Sequence, residues 1–250
     1  MSYQFLEHQI RQPQSALAEF VGRFWMVRNL SGQQQEISII PNGMIDLVFT
    51  IAEDGSLESN LIGIENESSQ HRIDHGKVYM GVGLRLLAVE YCLKESIAPI
   101  LGKTIPLTSL HHDITKTDFD NFERFCHKIS ATLQSRISTG IDTRKQILFQ
   151  ALYDTHGSLK IKEYAEICCW TSRQINRYFS EWFGLSLKEY CNILRFRASL
   201  HHIKEGKFFP EQNYSDQSHF IREVKKFTGV TPKELFKRQN DRFIQVPDEK

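Results

Sequence analysis

Residues 171–184 read TSRQINRYFSEWFG, from Thr171 to Gly184. Thr171 is a good helix N-cap, because its side-chain oxygen can take up a free amide of the first turn. Ile175, Tyr178, Phe179 and Trp182 recur at helical spacing, and Gly184 suits a helix stop. Arg173, Asn176 and Arg177 fall on the other side. A short helix with one apolar face and one compact Arg/Asn face suits an anion-rich groove.

The segments around it repeat the theme. Lys160 to Ile167 reads as a short helix with Ile161, Tyr164, Ala165 and Cys168 inward, and Cys168-Cys169-Trp170 reads as a turn. Helix, short turn and capped helix with two outward arginines is a helix-turn-helix pattern. In the major groove, Arg bonds guanine bidentately and Asn or Gln bonds adenine in the same way. From Ser186 to Ile203 two apolar stripes run on nearly opposite sides. Leu187, Tyr190, Cys191, Leu194 and Ala198 form one, and Ile193, Phe196, Leu200 and Ile203 the other. Such a helix is held between two bodies. At about 1.5 Å per residue it is about 27 Å long, suited to joining two units that read successive grooves about 34 Å apart. A second capped helix follows at about 215–227, with Ser215 or Asp216 as cap. Phe220, Val224 and Phe227 point inward, and Gln217, Ser218, Ile221, Arg222 and Lys225 outward.

On these residues the segment from about 157 to 238 resembles the DNA-binding domain of the AraC/XylS family of bacterial transcription regulators. The matching pieces are AEICCWTSRQINRYFSEWFGLSLKEY, the connector RFRASL, and above all DQSHFIREVKKFTGVTPKEL. The first half, through FVGRFW and IPNGMIDLVF, is similar more loosely to a sensor or dimerisation domain of some such regulators. The resemblance implies two helix-turn-helix units on one long helix. Carried over by position, Arg173, Asn176 and Arg177 of the first recognition helix (171–183) face DNA, as do Gln217, Ser218 and Arg222 of the second. Ser172 and Gln174 are further candidates near the first helix start, and Lys225 for phosphate. One departure stands out: where the family carries a scaffold helix before the second recognition helix, this chain has GKFFPEQNYSDQ, which is shorter, holds Pro210 and has Asn213 in place of the usual Gly. Pro210 disfavours a helix interior, so the second unit is expected to be remodelled and to read bases less than the first.

Upstream, short β-rich runs alternate with turn signals. Ser15 to Val27 opens at helical spacing and turns strand-like. Glu36 to Ile40, Met44 to Ile51, Leu57 to Ile64 and Val78 to Val82 read as strands, and Leu84 to Leu93 is ambiguous. The spacing predicts an antiparallel sandwich or barrel-like sheet. Amphipathic helices follow over Asp118 to Ile137, capped by Thr117, and over Asp142 to Tyr153. Thr155 to Ser158 reads as the boundary. The fold class expected is α+β: a β-rich sensor or oligomerisation domain with packing helices over 1–155, an all-α double helix-turn-helix domain over 156–240, and a tail over 241–250.

Composition limits the alternatives. The chain has 250 residues, 40% of them hydrophobic and 24% charged, ordinary for a globular protein. Its five cysteines include no CxxC pair, so a disulfide framework is not expected and a reducing cytoplasm is. No segment reads as a signal peptide or a membrane span. The net charge of +1 divides into 14 Lys+Arg against 17 Asp+Glu in residues 1–150, and 17 against 13 from residue 151 on. The basic side is the one that carries the helix-turn-helix pattern.

No catalytic constellation, cofactor motif or metal-ligand spacing is present in the β half. His71 and His75 lie in a polar, loop-like stretch. His111-His112-Asp113 lacks a third ligand at motif spacing. Asp46 reads as a strand-edge or turn contact in preference to a pocket residue. Double-stranded DNA is thus the expected partner. RNA polymerase, a small-molecule effector held in the β domain and a second copy of the chain are further candidates. An enzymatic β half with a helical appendage, or a degenerate helix-turn-helix that binds protein, are the competing readings.

Overall fold

The computed structural model of the chain describes residues 6–107, 114–209, 214 and 216–237. Eight strands come first: β1 (Leu6–Arg11), β2 (Val21–Asn29), β3 (Gln35–Ile39), β4 (Ile45–Ile51), β5 (Leu57–Ile62), β6 (Ser69–Ile73), β7 (Val78–Leu84) and β8 (Thr104–Pro106). They form two antiparallel sheets, one six-stranded in the order β1-β2-β7-β4-β5-β8 and one of β3 with β6. No closed barrel forms among the described residues. Among the described residues seven α-helices follow: α1 (Phe122–Arg136), α2 (Thr143–Asp154), α3 (Ile161–Ile167), α4 (Ser172–Phe183), α5 (Leu187–Lys204), α6 (Gln217–Thr228) and α7 (Pro232–Lys237).

The six-stranded sheet is covered on both faces. On one, Phe24, Met26, Leu47, Phe49, Met80 and Val82 join the main core, where Phe49 meets Phe125 of α1 edge-on at 5.5 Å. On the other, Val27 packs with Ile37 and Ile73 of the small sheet. A strand buried on both faces loses the polar/apolar alternation that marks a half-exposed one. That is why Ser15 to Val27 reads as helical at its start. Leu17 belongs to a single 3-10 turn, Ser15–Leu17, Phe20 lies in the turn after it, and the apolar run from Val21 on is β2. Leu84 closes β7, and the stretch after it ends in a wide helical turn at Val89–Leu93. Three strands have no sequence signal. β1, β6 and β8 are short, polar or proline-bearing, as edge and cover strands commonly are.

The helix caps mostly follow their residues. Asp142 caps α2 by accepting from the Arg144 amide at 2.9 Å. The helix expected from Asp118 is in two pieces. Thr115 and Asp118 close a capping box on a 3-10 turn, Lys116–Asp120, and Asn121 caps α1, so Thr117 is not the cap. The buried Asp118 carboxylate also binds Lys128 at 2.8 Å and Arg124 at 2.9 Å. Burial alone would raise this acid. Lys128, the Thr115 amide and hydroxyl, and Arg124 outweigh burial and hold its pKa at about 2.

His71 lies on β6, with Nε2 2.9 Å from the Ser69 hydroxyl, while His75 turns its Nδ1 to the Ser31 carbonyl, so the two share no site. His111, His112 and Asp113 lie outside the described residues. Asp46 is a correction: it sits on β4, an inner strand, is buried, and accepts a hydrogen bond from Trp25 Nε1 at 2.8 Å. Its place is the floor of a cavity between the two sheets.

One hydrophobic core runs without a break from Leu17 of the β half to Leu235 of α7. The expected boundary at Thr155 to Ser158 falls between α2 and α3, inside that continuous core.

Candidate nucleic-acid interface

The α4 helix is built from both ends inward. Thr171 Oγ1 accepts from the Gln174 amide at 3.2 Å, and Gln174 Oε1 accepts from the Thr171 amide at 2.9 Å, a closed capping box. Cys169 takes the left-handed conformation, φ 54°, in the turn that aims α4 away from α3. At the far end Gly184 has φ 76° and returns its amide to Ser180 O at 3.2 Å. Gly184 also lies against the β half: a Cβ there would sit 2.8 Å from Ala98 O.

Ile175, Tyr178, Phe179 and Phe183 form the buried face. Phe149 of α2 lies 6.1–6.3 Å from the Tyr178, Phe179 and Phe183 rings, and Tyr190 of α5 lies 5.7 Å from Phe179. The Tyr178 hydroxyl donates to Glu90 at 2.9 Å, and Lys145 holds the same carboxylate at 2.6 Å. Burial, and then the Glu90 charge, push the Tyr178 phenol far above its ordinary range, so it stays a donor at any physiological pH. Ser96 Oγ donates to Glu181 O at 2.6 Å, and the Ile97 amide to Trp182 O at 3.0 Å. The helix is therefore bolted to the β half by its apolar face and by its last turn.

Arg173, Gln174 and Arg177 are exposed on the other face, with Ser172 half-buried beside the start. Among the described residues Arg177 reaches only a long, solvent-exposed contact with Glu181 at 3.8 Å, which costs little to break. Asn176 differs from its neighbours. Its Nδ2 donates to Ser172 O at 3.0 Å and its Oδ1 accepts from the Leu187 amide at 3.3 Å. Both ends of this amide are engaged in joining α4 to the start of α5. Gln174 gives its carbonyl to the cap and keeps its amide nitrogen outward. The Thr-x-x-Gln spacing is the sequence signal for that role.

The connector α5 starts at Ser186, which makes a capping box with Glu189. Both apolar stripes are buried apart from Ala198, which is half-buried. Tyr190 meets the first unit, and Phe196 meets Phe227 of α6 at 4.9 Å. Asp216 caps α6 by accepting from the His219 amide at 2.8 Å, while Ser215, the other cap candidate, lies outside the described residues. Phe220, Val224 and Phe227 are buried, while Gln217, Ser218, Arg222, Lys225 and Lys226 are exposed. Ile221, read as outward, is half-buried.

Between α5 and α6 the described residues contain no helix. A turn at Glu205–Gly206 leads to Phe208, which meets Phe236 of α7 at 5.5 Å, and Tyr214 rests on Phe220 at 5.1 Å. Pro210 and Asn213 fall outside the described residues. Here aromatic contacts brace the link against α7 and α6. No helix of the described residues is long and apolar enough to cross a membrane.

Comparison with known proteins agrees with this layout. Residues 164–238 match a family described as a helix-turn-helix domain, and residues 9–106 match a domain of unknown function (DUF6597). No curated protein matches the chain. Among solved structures it is similar to ToxT from Vibrio cholerae, at 14% identity over 82% of this chain and 96% of that one, with a TM-score of 0.40. A second similar structure is ToxT from Vibrio cholerae bound to an unsaturated fatty acid, at 12% identity over 94% and 96%, with a TM-score of 0.40. Likeness at that level is too loose to carry an assignment. The capped helices, the two-faced connector and the matched segment make the C-terminal part of this chain an AraC-type helix-turn-helix domain, the DNA-binding module of a class of transcription regulators.

Proposed function

We propose that the chain is a sequence-specific regulator of transcription that reads double-stranded DNA mainly through α4. The observation that carries this reading is the split character of that helix. One face is locked into the core, and the other presents Arg173, Gln174 and Arg177 to solvent. A helix held that firmly can enter a major groove without losing its own order, so less of the binding energy goes into fixing it. Arg173 and Arg177 are the base readers, with Gln174 and Ser172 beside the helix start. Asn176 acts as the bracket that sets the angle between α4 and α5, in place of the base contact its identity suggests.

The second unit contributes Gln217, Ser218 and Arg222 at the α6 start, and Lys225 supplies a phosphate contact. The unit over 156–240 thus grips two successive turns of one groove face, with α5 as the spacer.

Selection of bound fragments from a random duplex pool tests the reading. A single enriched motif is expected. On that motif, Arg173→Ala with Arg177→Ala should cost about 1–3 kcal/mol for each bidentate arginine–base pair removed, with an unchanged melting transition. Equal retention of all sequences, or full affinity in the double variant, would overturn it.

A further inference from the structure

The face of the six-stranded sheet turned away from α1 and the sheet of β3 with β6 enclose a cavity of about 320 Å³. That lies within the range of small-ligand sites. Its polar floor divides between two sides of the sheet. His8 and Arg23 stand on β1 and β2. Asp46, Asn60 and Thr104 stand on the neighbouring strands β4, β5 and β8 at the other side. Glu65, from the link between β5 and β6, joins this second group and lies near enough to Asp46 to feel its charge.

The basic groups of the wall are already answered. Arg23 is engaged within the protein. Arg72 alternates to the outward side of β6, opposite Glu36, and its Nε lies 3.5 Å from that carboxylate. Burial, and for His8 the Arg23 charge as well, lower the pKa of His8 and His71, so both imidazoles are neutral above pH 7. Burial holds the Tyr79 phenol in its neutral form.

The two carboxyls are not answered. Asp46 is only 8% exposed, and among the described residues its side chain has one hydrogen bond, from Trp25 Nε1 to Oδ1 at 2.8 Å. Glu65 Oε1 accepts from the Ser69 hydroxyl at 2.5 Å, and that hydroxyl also meets His71 Nε2 at 2.9 Å. Oδ2 of Asp46 and Oε2 of Glu65 have no partner among the described residues, and neither carboxyl has an ion pair there.

Two neighbouring carboxyls out of water ionise together only at a high cost unless a cation joins them. Without one, Glu65 keeps its proton up to about pH 7. A guest cation takes the place of that proton. No three His, Cys, Asp or Glu among the described residues are placed to hold a metal ion, so the charge has to arrive on an organic body. Trp25 and Tyr79 line the same cavity, and aromatic rings beside carboxylates suit an ammonium group. We propose that the carboxyl side of this cavity binds a small organic amine in its ammonium form. Asp46 and Glu65 hold the ammonium, and Val48, Ile62, Ile37 and Ile73 cover its hydrocarbon.

Calorimetric titration of the full chain, without DNA, tests the site apart from any DNA reading. The probes are 2-phenylethylamine and 3-methylbutylamine, with 2-phenylethanol and 3-methylbutanol as their uncharged analogues. At least one amine should bind saturably at pH 8, and its alcohol at least about tenfold more weakly. The amines stay charged from pH 6 to pH 8, whereas Glu65 has to give up its proton, so affinity should rise by up to about tenfold over that range. Asp46→Asn keeps an acceptor for Trp25 and should weaken amine binding at least about tenfold. Glu65→Gln should weaken binding at pH 8 and remove most of the rise with pH, and it decides if Asp46→Asn does not fold. No binding by either amine at millimolar concentration overturns the proposal. So does an alcohol that binds as tightly as its amine, an affinity that does not rise from pH 6 to pH 8, or full affinity in a folded variant.

Discussion

The Tyr190 hydroxyl donates to the Gly43 carbonyl at 3.0 Å, inside the protein, and so ties the connector α5 to the loop that leads into β4. Arg197 adds a bond to Asn42 O at 3.2 Å. Gly43 takes φ 74°, and the Tyr190 ring passes 3.3 Å from where its Cβ would be. The connector between α4 and α6 therefore rests on a turn only three residues before Asp46 of the cavity floor. Tyr190→Phe should cost about 1 kcal/mol, the net worth of one buried hydrogen bond. A lower urea midpoint with an unchanged slope would show it.

Gly184 ends α4 and Gly229 ends α6 in the left-handed region, at φ 76° and 74°. Their surroundings differ. A Cβ on Gly184 would meet Ala98 O at 2.8 Å, whereas nothing lies within 4 Å of one on Gly229. Gly229→Ala should cost about 1 kcal/mol, from backbone conformation alone. Gly184→Ala should cost clearly more, because backbone has to shift as well. Equal losses in thermal unfolding would count against the contact between α4 and the β half.

Glu65 gives a pH dependence. Burial, reinforced by the Asp46 carboxylate and opposed by the Ser69 hydroxyl, raises its pKa from 4.5 to about 7. The folded state thus holds this proton more tightly than the unfolded chain. The stabilisation is full below pH 4.5 and is lost as pH rises through about 7, at most about 3 kcal/mol. Glu65→Gln should remove that slope, so the variant gains on the parent between pH 6 and pH 8 in melting experiments. A parallel pair of curves would contradict the assignment.

Asp118 works in the opposite sense. Its pKa is held down at about 2, so its contribution is present above 3.8 and fades as pH falls through about 2. The contribution is about 2 kcal/mol before discounting for the partial exposure of Arg124 and Lys128. Asp118→Asn should lower stability at pH 7 and make the acid limb of the stability curve shallower.

The proposed function gives Lys225 a phosphate contact. Lys225→Ala should weaken binding to all duplexes alike and reduce the slope of log affinity against log salt by about 1. A loss confined to one sequence would assign it to base reading.

Much of the C-terminal half is legible in the chain itself, because its helices are specified locally. Thr171, Ser186 and Asp216 cap, Gly184 and Gly229 stop, and the apolar residues repeat at 3.6-residue spacing between them. The side on which Arg173, Arg177, Arg222 and Lys225 lie follows from that spacing alone. What Asn176 does is not legible there. Its identity fits a base contact, but its partner, the Leu187 amide, is fixed only when α5 folds back beside α4.

The β half divides differently. Val78–Leu84 and Ile45–Ile51 announce themselves through β-branched and aromatic runs. Ser69–Ile73 and Leu6–Arg11 do not, since a polar edge or cover strand is set by the neighbour it pairs with. The sequence by itself determined the helix-turn-helix units, their caps and their exposed cations, because each depends on residues within about one turn of one another. Only the tertiary structure decided that Asp46, Trp25 and Arg23 share one cavity, and that Tyr190 reaches Gly43. Those contacts join residues from 21 to 147 positions apart in the chain, and strand pairing and core packing, which no local pattern encodes, bring them together.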